Sequence, residues 1–207
     1  MFKKSSRIGA TVFAASLSAL CVVSVASAQQ GQTARLRGTI EKLDGNVLTI
    51  KSRDGAEQRV VLAKDAQVVG VAKASLSDVK EGSYVGSAAM PQADGTQKAL
   101  EVHIFAPSQR GTGEGHRPFT IPNSTMTNGT VGQTVTGVDG QTLTVKYSGG
   151  EKKIVVPPGT PIVQYQVGDR SELKPGASVS IANAVKKPDG SFEAARVNVG
   201  RDGVVPR

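Results

Sequence analysis

The chain has no tryptophan, one cysteine and two histidines in 207 residues, and aromatic side chains make up only 4% of it. Each shortage excludes something. One cysteine cannot form an intramolecular disulfide or a thiolate metal cage. Two histidines, His103 and His116, cannot supply a closed four-ligand site. With so few rings, any hydrophobic core has to be packed from Val, Leu, Ile and Ala. No apolar run beyond the first 28 residues approaches the ~20 residues that a membrane-spanning helix needs. Long amphipathic helical periodicity is missing too. Catalysis would call for a nucleophile with a base, paired carboxylates, or a metal with an open position. No serine elbow is recognisable, and the paired acids belong to turns, so the chain reads as no enzyme and needs no cofactor.

The first residues carry an address. Met1-Phe2-Lys3-Lys4-Ser5-Ser6-Arg7 is cationic, Ile8 to Val25 is apolar and small, and Ala26-Ser27-Ala28 precedes Gln29. A charged start, an apolar middle and small residues at −3 and −1 are the features of a Sec-type signal peptide cut between Ala28 and Gln29. Thr11, Ser16, Ser18 and Ser24 dilute the apolar run too much for an anchor. Leu20 before Cys21, and the apolar run continuing past it, argue against a lipid-attachment site, so Cys21 goes with the discarded peptide. The expected location is the periplasm or the exterior. Removing Lys3, Lys4 and Arg7 takes the formal charge from +8 to +5 (8 − 3 = 5). The remaining charges are mixed, with a mild basic excess that favours an anionic envelope polymer or an envelope protein as partner.

The remainder is duplicated. Leu43-Asp44-Gly45-Asn46-Val47-Leu48-Thr49-Ile50-Lys51 returns as Val138-Asp139-Gly140-Gln141-Thr142-Leu143-Thr144-Val145-Lys146, an offset of 139 − 44 = 95. Asp94-Gly95-Thr96 returns as Asp189-Gly190-Ser191 at the same offset, and Val79-Lys80-Glu81-Gly82 answers Leu173-Lys174-Pro175-Gly176 at 176 − 82 = 94. A period this long is that of a whole small domain.

Asp-Gly between alternating runs is a hairpin signal. In copy one it predicts five strands near 35–43, 46–52, 57–63, 83–90 and 98–106, with an irregular stretch at 64–82. Three strands, a non-β connection and two more strands is the order of an OB-type barrel. The expected architecture is therefore all-β: two tandem five-stranded OB-like barrels after a signal peptide, with SH3-like closure as the alternative. The domain boundaries are 1–28 for the signal peptide, 29–106 for barrel copy one, 107–129 for the joining segment and 130–207 for barrel copy two.

The order G-T-I-x-x-L-D-G-N-x-L-T-I-K, then L-x-x-V-K-x-G, then D-G-x-x-x-A-x-x-V, resembles an uncharacterised domain-of-unknown-function family of exported bacterial tandem β-barrel proteins (DUF5666-type). It covers roughly 35–106 and 130–203. The resemblance implies a barrel fold and export and assigns no site. It also brings a link to metal transport, the ground for an alternative reading as a periplasmic metal-binding accessory protein. A permease does not fit a mature chain without spans.

The joining segment is the least generic part, and distinctive loop residues are better functional candidates than core ones. Gly111-x-Gly113-x-Gly115 lacks the spacing and the strand-to-helix context of a phosphate cradle. Glu114 and His116, with His103, are the candidate ligands of a weak, open divalent-metal site. The competing reading has His116 and Arg117 bonding loop carbonyls and pinning the barrels together, with Arg110 and Phe119 as further loop candidates. His103 falls opposite Leu100, Val102 and Ile104, which predicts an exposed polar strand residue. Nucleic acid is not an expected partner, because Tyr84, Phe105, Phe119, Tyr147, Tyr165 and Phe192 are too spread along the chain for a stacking groove. The function that remains is that of a non-catalytic, exported binding or scaffolding module.

Overall fold

The computed structural model describes residues 32–138 and 140–206. The expected signal peptide, its cut at Ala28, Cys21 and the turn residue Asp139 lie outside the described residues. The first copy contributes β1 (Thr33–Asp44), β2 (Val47–Lys51), β3 (Glu57–Lys73), β4 (Tyr84–Pro91) and β5 (Gln97–Ile104). A short β6 (Gly115–Pro118) lies in the joining segment. The second copy contributes β7 (Thr125–Gly137), β8 (Gly140–Tyr147), β9 (Gly150–Val156), β10 (Ile162–Val167), β11 (Ser178–Lys186) and β12 (Phe192–Gly200). Single 3-10 turns at Leu76–Asp78, Pro107–Gln109 and Arg170–Glu172 are the only helical elements among the described residues. None is long or apolar enough to cross a membrane.

The turns follow the residue chemistry. Asp94 Oδ1 accepts from Thr96 N at 3.0 Å and Thr96 Oγ1 at 2.7 Å; Asp189 does the same with Ser191, at 2.9 and 2.6 Å. An aspartate bonding two residues ahead fixes a tight turn, with glycine left to take positive φ. The opening strands share a second device. A Cβ at Gly38 would lie 2.2 Å from Lys51 O, and one at Gly129 would lie 2.3 Å from Lys146 O. Only glycine lets these strands cross so closely.

The fold is all-β and barrel-forming, but the barrels do not follow the repeat boundaries. β1 pairs with β2, β2 with β3, β3 with β12, β12 with β11, and β11 with β1. That ring is closed, and its last two strands belong to copy two. The second ring runs β7–β8–β9–β5–β4–β7, with β4 and β5 from copy one. Each ring has the OB-type order, three strands followed by the fifth and the fourth, with the third and fifth parallel. The expectation that residues 29–106 and 130–207 each close on themselves is therefore corrected: the copies exchange their final two strands. The cores agree. One cluster joins Leu48, Ile50 and Leu62 to Leu173, Ile181 and Val197; the other joins Leu143, Val145 and Ile154 to Val79, Val85 and Val102.

The cause lies in the stretch expected to be irregular. β3 does not stop near residue 63 but runs to Lys73. At ~3.3 Å per residue, a strand of 17 residues is far too long to turn back into its own small barrel. Its second half pairs antiparallel with β10, from Val69↔Val167 to Lys73↔Val163. Val68, Val69 and Val71 break the in–out alternation because both faces of this segment are covered, which reads in sequence as an unbroken apolar run. The pairing generates an internal two-fold relation. Phe192↔Val60 in one barrel is matched by Gln97↔Ile154 in the other, and Val197↔Val68 by Val102↔Ile162. A third small core of Val69, Val71, Val163 and Tyr165 sits at the junction. Elsewhere at the junction Arg201 bridges Glu172 at 2.8 Å and also bonds Gln166.

The joining segment belongs to barrel two. β6 pairs with β7 from Gly115↔Asn128 to Pro118↔Thr125, so residues 115–118 and 125–129 are strand and not free connection. A chain cut by an inserted protease site between Gly111 and Thr112 is expected to run as one particle of unchanged size on native gel filtration. It should separate only in denaturant, because each barrel holds strands from both sides of the cut. Release of two independent halves would contradict the exchange.

Candidate functional site

Because the barrels are joined through β3 and β10, their outer walls face one another across a seam. Strands β5, β10, β3 and β12 form its floor, with His103↔Val163, Tyr165↔Val71 and Val69↔Asn198 as lateral neighbours. A cavity of about 590 Å³ lies in this seam. Its lining includes Arg35 of β1, Arg196 and Asn198 of β12, Asn183 of β11, His103 of β5, Tyr165 of β10, Asn128 of β7, and Arg117 and Phe119 from the joining segment. Among the described residues, three guanidiniums line it and no carboxylate does. A second cavity of about 960 Å³ has Arg37, Lys51, Arg53 and Lys73 in its lining, together with Glu101 and Ile121. Its four cations are exposed, as Arg35 and Arg117 are in the smaller cavity, and Lys51 is drawn toward Glu41 at 3.6 Å. The smaller cavity is the more constrained of the two, with buried polar residues in its wall.

The cations are held in different ways. Arg35 lies over the Phe119 ring with Cζ 5.5 Å from the centroid, which ties β1 of barrel one to the joining segment. Arg117 donates Nη1 to Gly113 O at 2.7 Å. Arg196 is half-buried and donates Nε to Asn198 Oδ1 at 3.3 Å; among the described residues it makes no ion pair. Burial makes its charge costlier and pulls its pKa below the usual guanidinium range. A guanidinium in this state has unused donors in a fixed fork, the geometry that takes carboxylate or phosphoryl oxygens two at a time.

Beneath the arginines lies a buried polar group. His103 is only 7% exposed, which corrects the expectation of an exposed strand residue. The period-2 argument placed it on the outside of a barrel, as it is, but that outside is covered by the other barrel. Its Nε2 is 2.5 Å from Glu101 Oε1, and its Nδ1 is 3.4 Å from Tyr165 Oη. Tyr165 packs on His103 at 5.3 Å between ring centroids and meets Phe105 edge-on at 5.2 Å. Burial first, and the Glu101 charge second, push the Tyr165 phenol up to about 12, with Arg196, Arg35 and Arg37 pulling the other way.

The three candidate metal ligands are not gathered. His103 is committed to Glu101 and Tyr165, His116 Nδ1 to Thr127 Oγ1 at 2.8 Å, and Glu114 Oε1 accepts from Ser148 N at 2.7 Å. Burial, and then the Lys152 charge, hold His116 below its usual range. Among the described residues no group of three His, Cys, Asp or Glu side chains is placed to hold a metal. Arg110 donates to Gly82 O at 2.6 Å and Thr130 Oγ1 at 3.1 Å and covers the Tyr84 ring. It therefore fastens the joining segment to barrel two, while Phe119 makes the ring contact to barrel one. Comparisons of the chain with family models, with curated proteins and with solved structures return no match.

Arg35, Arg196, Glu101 and Tyr165 were not singled out from sequence, although the duplication held a signal for three of them. Thr39↔Ser178 and Gly38↔Val179 in barrel one correspond to Thr130↔Tyr84 and Gly129↔Val85 in barrel two. Aligned through Gly38-Thr39-Ile40 and Gly129-Thr130-Val131, Arg35 and Arg37 stand opposite Met126 and Asn128 in the repeat. Arg196 likewise stands where the first copy has Glu101 (196 − 101 = 95). Matched wall positions have diverged in charge, so the strand-borne arginines of the cavity, Arg35 and Arg196, both come from barrel one.

Tyr165 yields a pH prediction. Its folded pKa of about 12 exceeds the ordinary 10, so the folded state keeps a proton that the unfolded state releases. That contribution is fully present below pH ~10 and is lost as pH rises toward ~12. Denaturation midpoints measured from pH 9 to 12 are expected to fall more steeply in the parent protein than in Tyr165→Phe. Parallel curves would show that the phenol is not held protonated.

Proposed function

We propose that this is an exported, non-catalytic binding protein that takes an anionic ligand into the seam between its two barrels. The observation that carries this reading is the placement of Arg35, Arg117 and Arg196 around a cavity with no carboxylate among its described lining residues. A cavity of this size lies within the ~300–1,000 Å³ typical of small-molecule sites. The site is placed where binding sites favour being, between two folded units joined by a rigid floor. Export rests on the charged, apolar and small-residue succession of the first 28 residues, and the resemblance to exported tandem barrels points the same way. A binding role accords with the buried His103, both of whose ring nitrogens are engaged.

Calorimetric titration at low salt with adipate, inorganic phosphate and naphthalene-2,6-dicarboxylate tests the reading. At least one anion is expected to bind saturably, with affinity reduced ~10-fold or more by Arg196→Gln, the range for a lost charged hydrogen bond. Added salt should weaken it less than it weakens contacts of exposed lysines. No saturable heat with any anion, or an unchanged affinity in Arg196→Gln, would overturn it. Export is checked by the N-terminal residue of the mature protein, expected to be Gln29.

A further inference from the structure

The rings of this chain are concentrated outside the two barrel cores. Six aromatic residues fall within the described residues: Tyr84, Phe105, Phe119, Tyr147, Tyr165 and Phe192. The two barrel cores are built from aliphatic side chains, with Phe192 packed only at the margin of one. Phe105, Phe119 and Tyr165 all line the arginine-bearing seam cavity, and Tyr84 stacks behind Phe105 with centroids 5.4 Å apart. Four of the six rings therefore gather at one place along a chain that separates them by 81 residues (165 − 84 = 81).

The junction core accounts for two of these rings: Tyr165 belongs to it with Val69, Val71 and Val163, and Phe105 packs against it. Phe119 lies outside that core. Phe119 stays half-buried at the cavity wall and carries Arg35 on its face. An arginine stacked on an aromatic ring extends a flat, polarisable surface that ends in donors, and a second flat group packs well against such a surface. Met126 in the same wall adds a soft thioether. Arg117 and Arg196, with the Asn183 and Asn198 amides, supply polar contacts at the rim of this flat surface.

Resting on the anion-binding reading above, we infer that the preferred ligand class is a planar aromatic or conjugated anion. Its ring lies against Phe119 and the cavity floor, and its carboxylate or equivalent oxyanion meets the arginines. The aromatic part gains from stacking only if the acid group is held at the same time, so selectivity comes from the pair of features.

The test compares naphthalene-2,6-dicarboxylate with adipate, two dianions that differ in the ring, in titrations of the whole purified protein. The aromatic dianion is expected to bind about ten-fold more tightly. Phe119→Ala should lower the affinity for the aromatic dianion by a larger factor than that for adipate and so remove most of the difference, and Phe119→Tyr should restore it. Far-ultraviolet circular dichroism identifies any variant that fails to fold; Phe119→Leu, which keeps the apolar volume, then serves in its place and should lose the ring preference. Equal affinities for the two dianions would overturn the aromatic assignment while leaving the anion site standing. Affinities for adipate and the aromatic dianion that fall by the same factor in Phe119→Ala and Phe119→Leu would also overturn it, since the residue would then act on the whole site. Absence of binding by either dianion or by phosphate would remove both readings.

Discussion

Five backbone pairs between Val69–Lys73 and Val163–Val167 join the two halves of this protein. Everything distal to that ribbon is committed by it. Once β3 has run past its own barrel, β4 and β5 can only complete the other one. The same argument applied to β10 sends β11 and β12 back to the first. Neither barrel then has a free edge at its third strand, because the exchanged fifth strand closes it in parallel. Closure of this kind removes the exposed edges through which small β-domains otherwise aggregate, and it makes the stability of each barrel depend on residues from both repeats.

The same constraint builds the seam. A flexible tether between two barrels would leave their outer walls in solvent. A continuous sheet floor instead holds them face to face, and the outward residues of β1, β5 and β12 become the lining of a cavity. This is why a glutamate and a histidine on the outside of a barrel, Glu101 and His103, are buried to 5% and 7% exposure. Both retain polar partners, as buried polar groups must. The duplication supplies two such walls, and their divergence supplies the chemistry. Positions that carry arginine on one wall carry methionine, asparagine and glutamate on the other. Arg35 and Arg196 on barrel one, with Arg117 on the strap across barrel two, leave a positive potential that an anion can satisfy.

The joining segment has a narrower role than its unusual composition implied. Through β6, Arg110 and His116 it is fastened to barrel two. Through Phe119 it reaches Arg35 of barrel one. Its glycines, arginines and histidine therefore serve mainly to lay a strap across one wall, and its contribution to the site is confined to Arg117 and Phe119. The metal arrangement that its histidine and glutamate permitted is separated in space, because His116 meets Thr127 within the β6–β7 pair while Glu114, just ahead of β6, accepts from Ser148 N.

The all-β class, the duplication, the OB-type strand order and the turn positions were legible in the sequence, for a local reason. Asp-Gly turns, alternation and glycines at strand crossings act over a few residues, and those residues are adjacent in the chain. The end of β3 was misread because Val68, Val69 and Val71 owe their burial on both faces to strands some hundred residues away. For the same reason, period-2 patterning put His103 correctly on the outer face but could not say that another barrel covers it. Which barrel each strand completes was decided by tertiary pairing alone. Two repeats with the same strand order and matching core positions offer each strand two equivalent partners, so the local pattern is satisfied by either closure. Only the length of β3 and its pairing with β10 selects the exchanged one, and with it the cavity where the arginines and the rings meet.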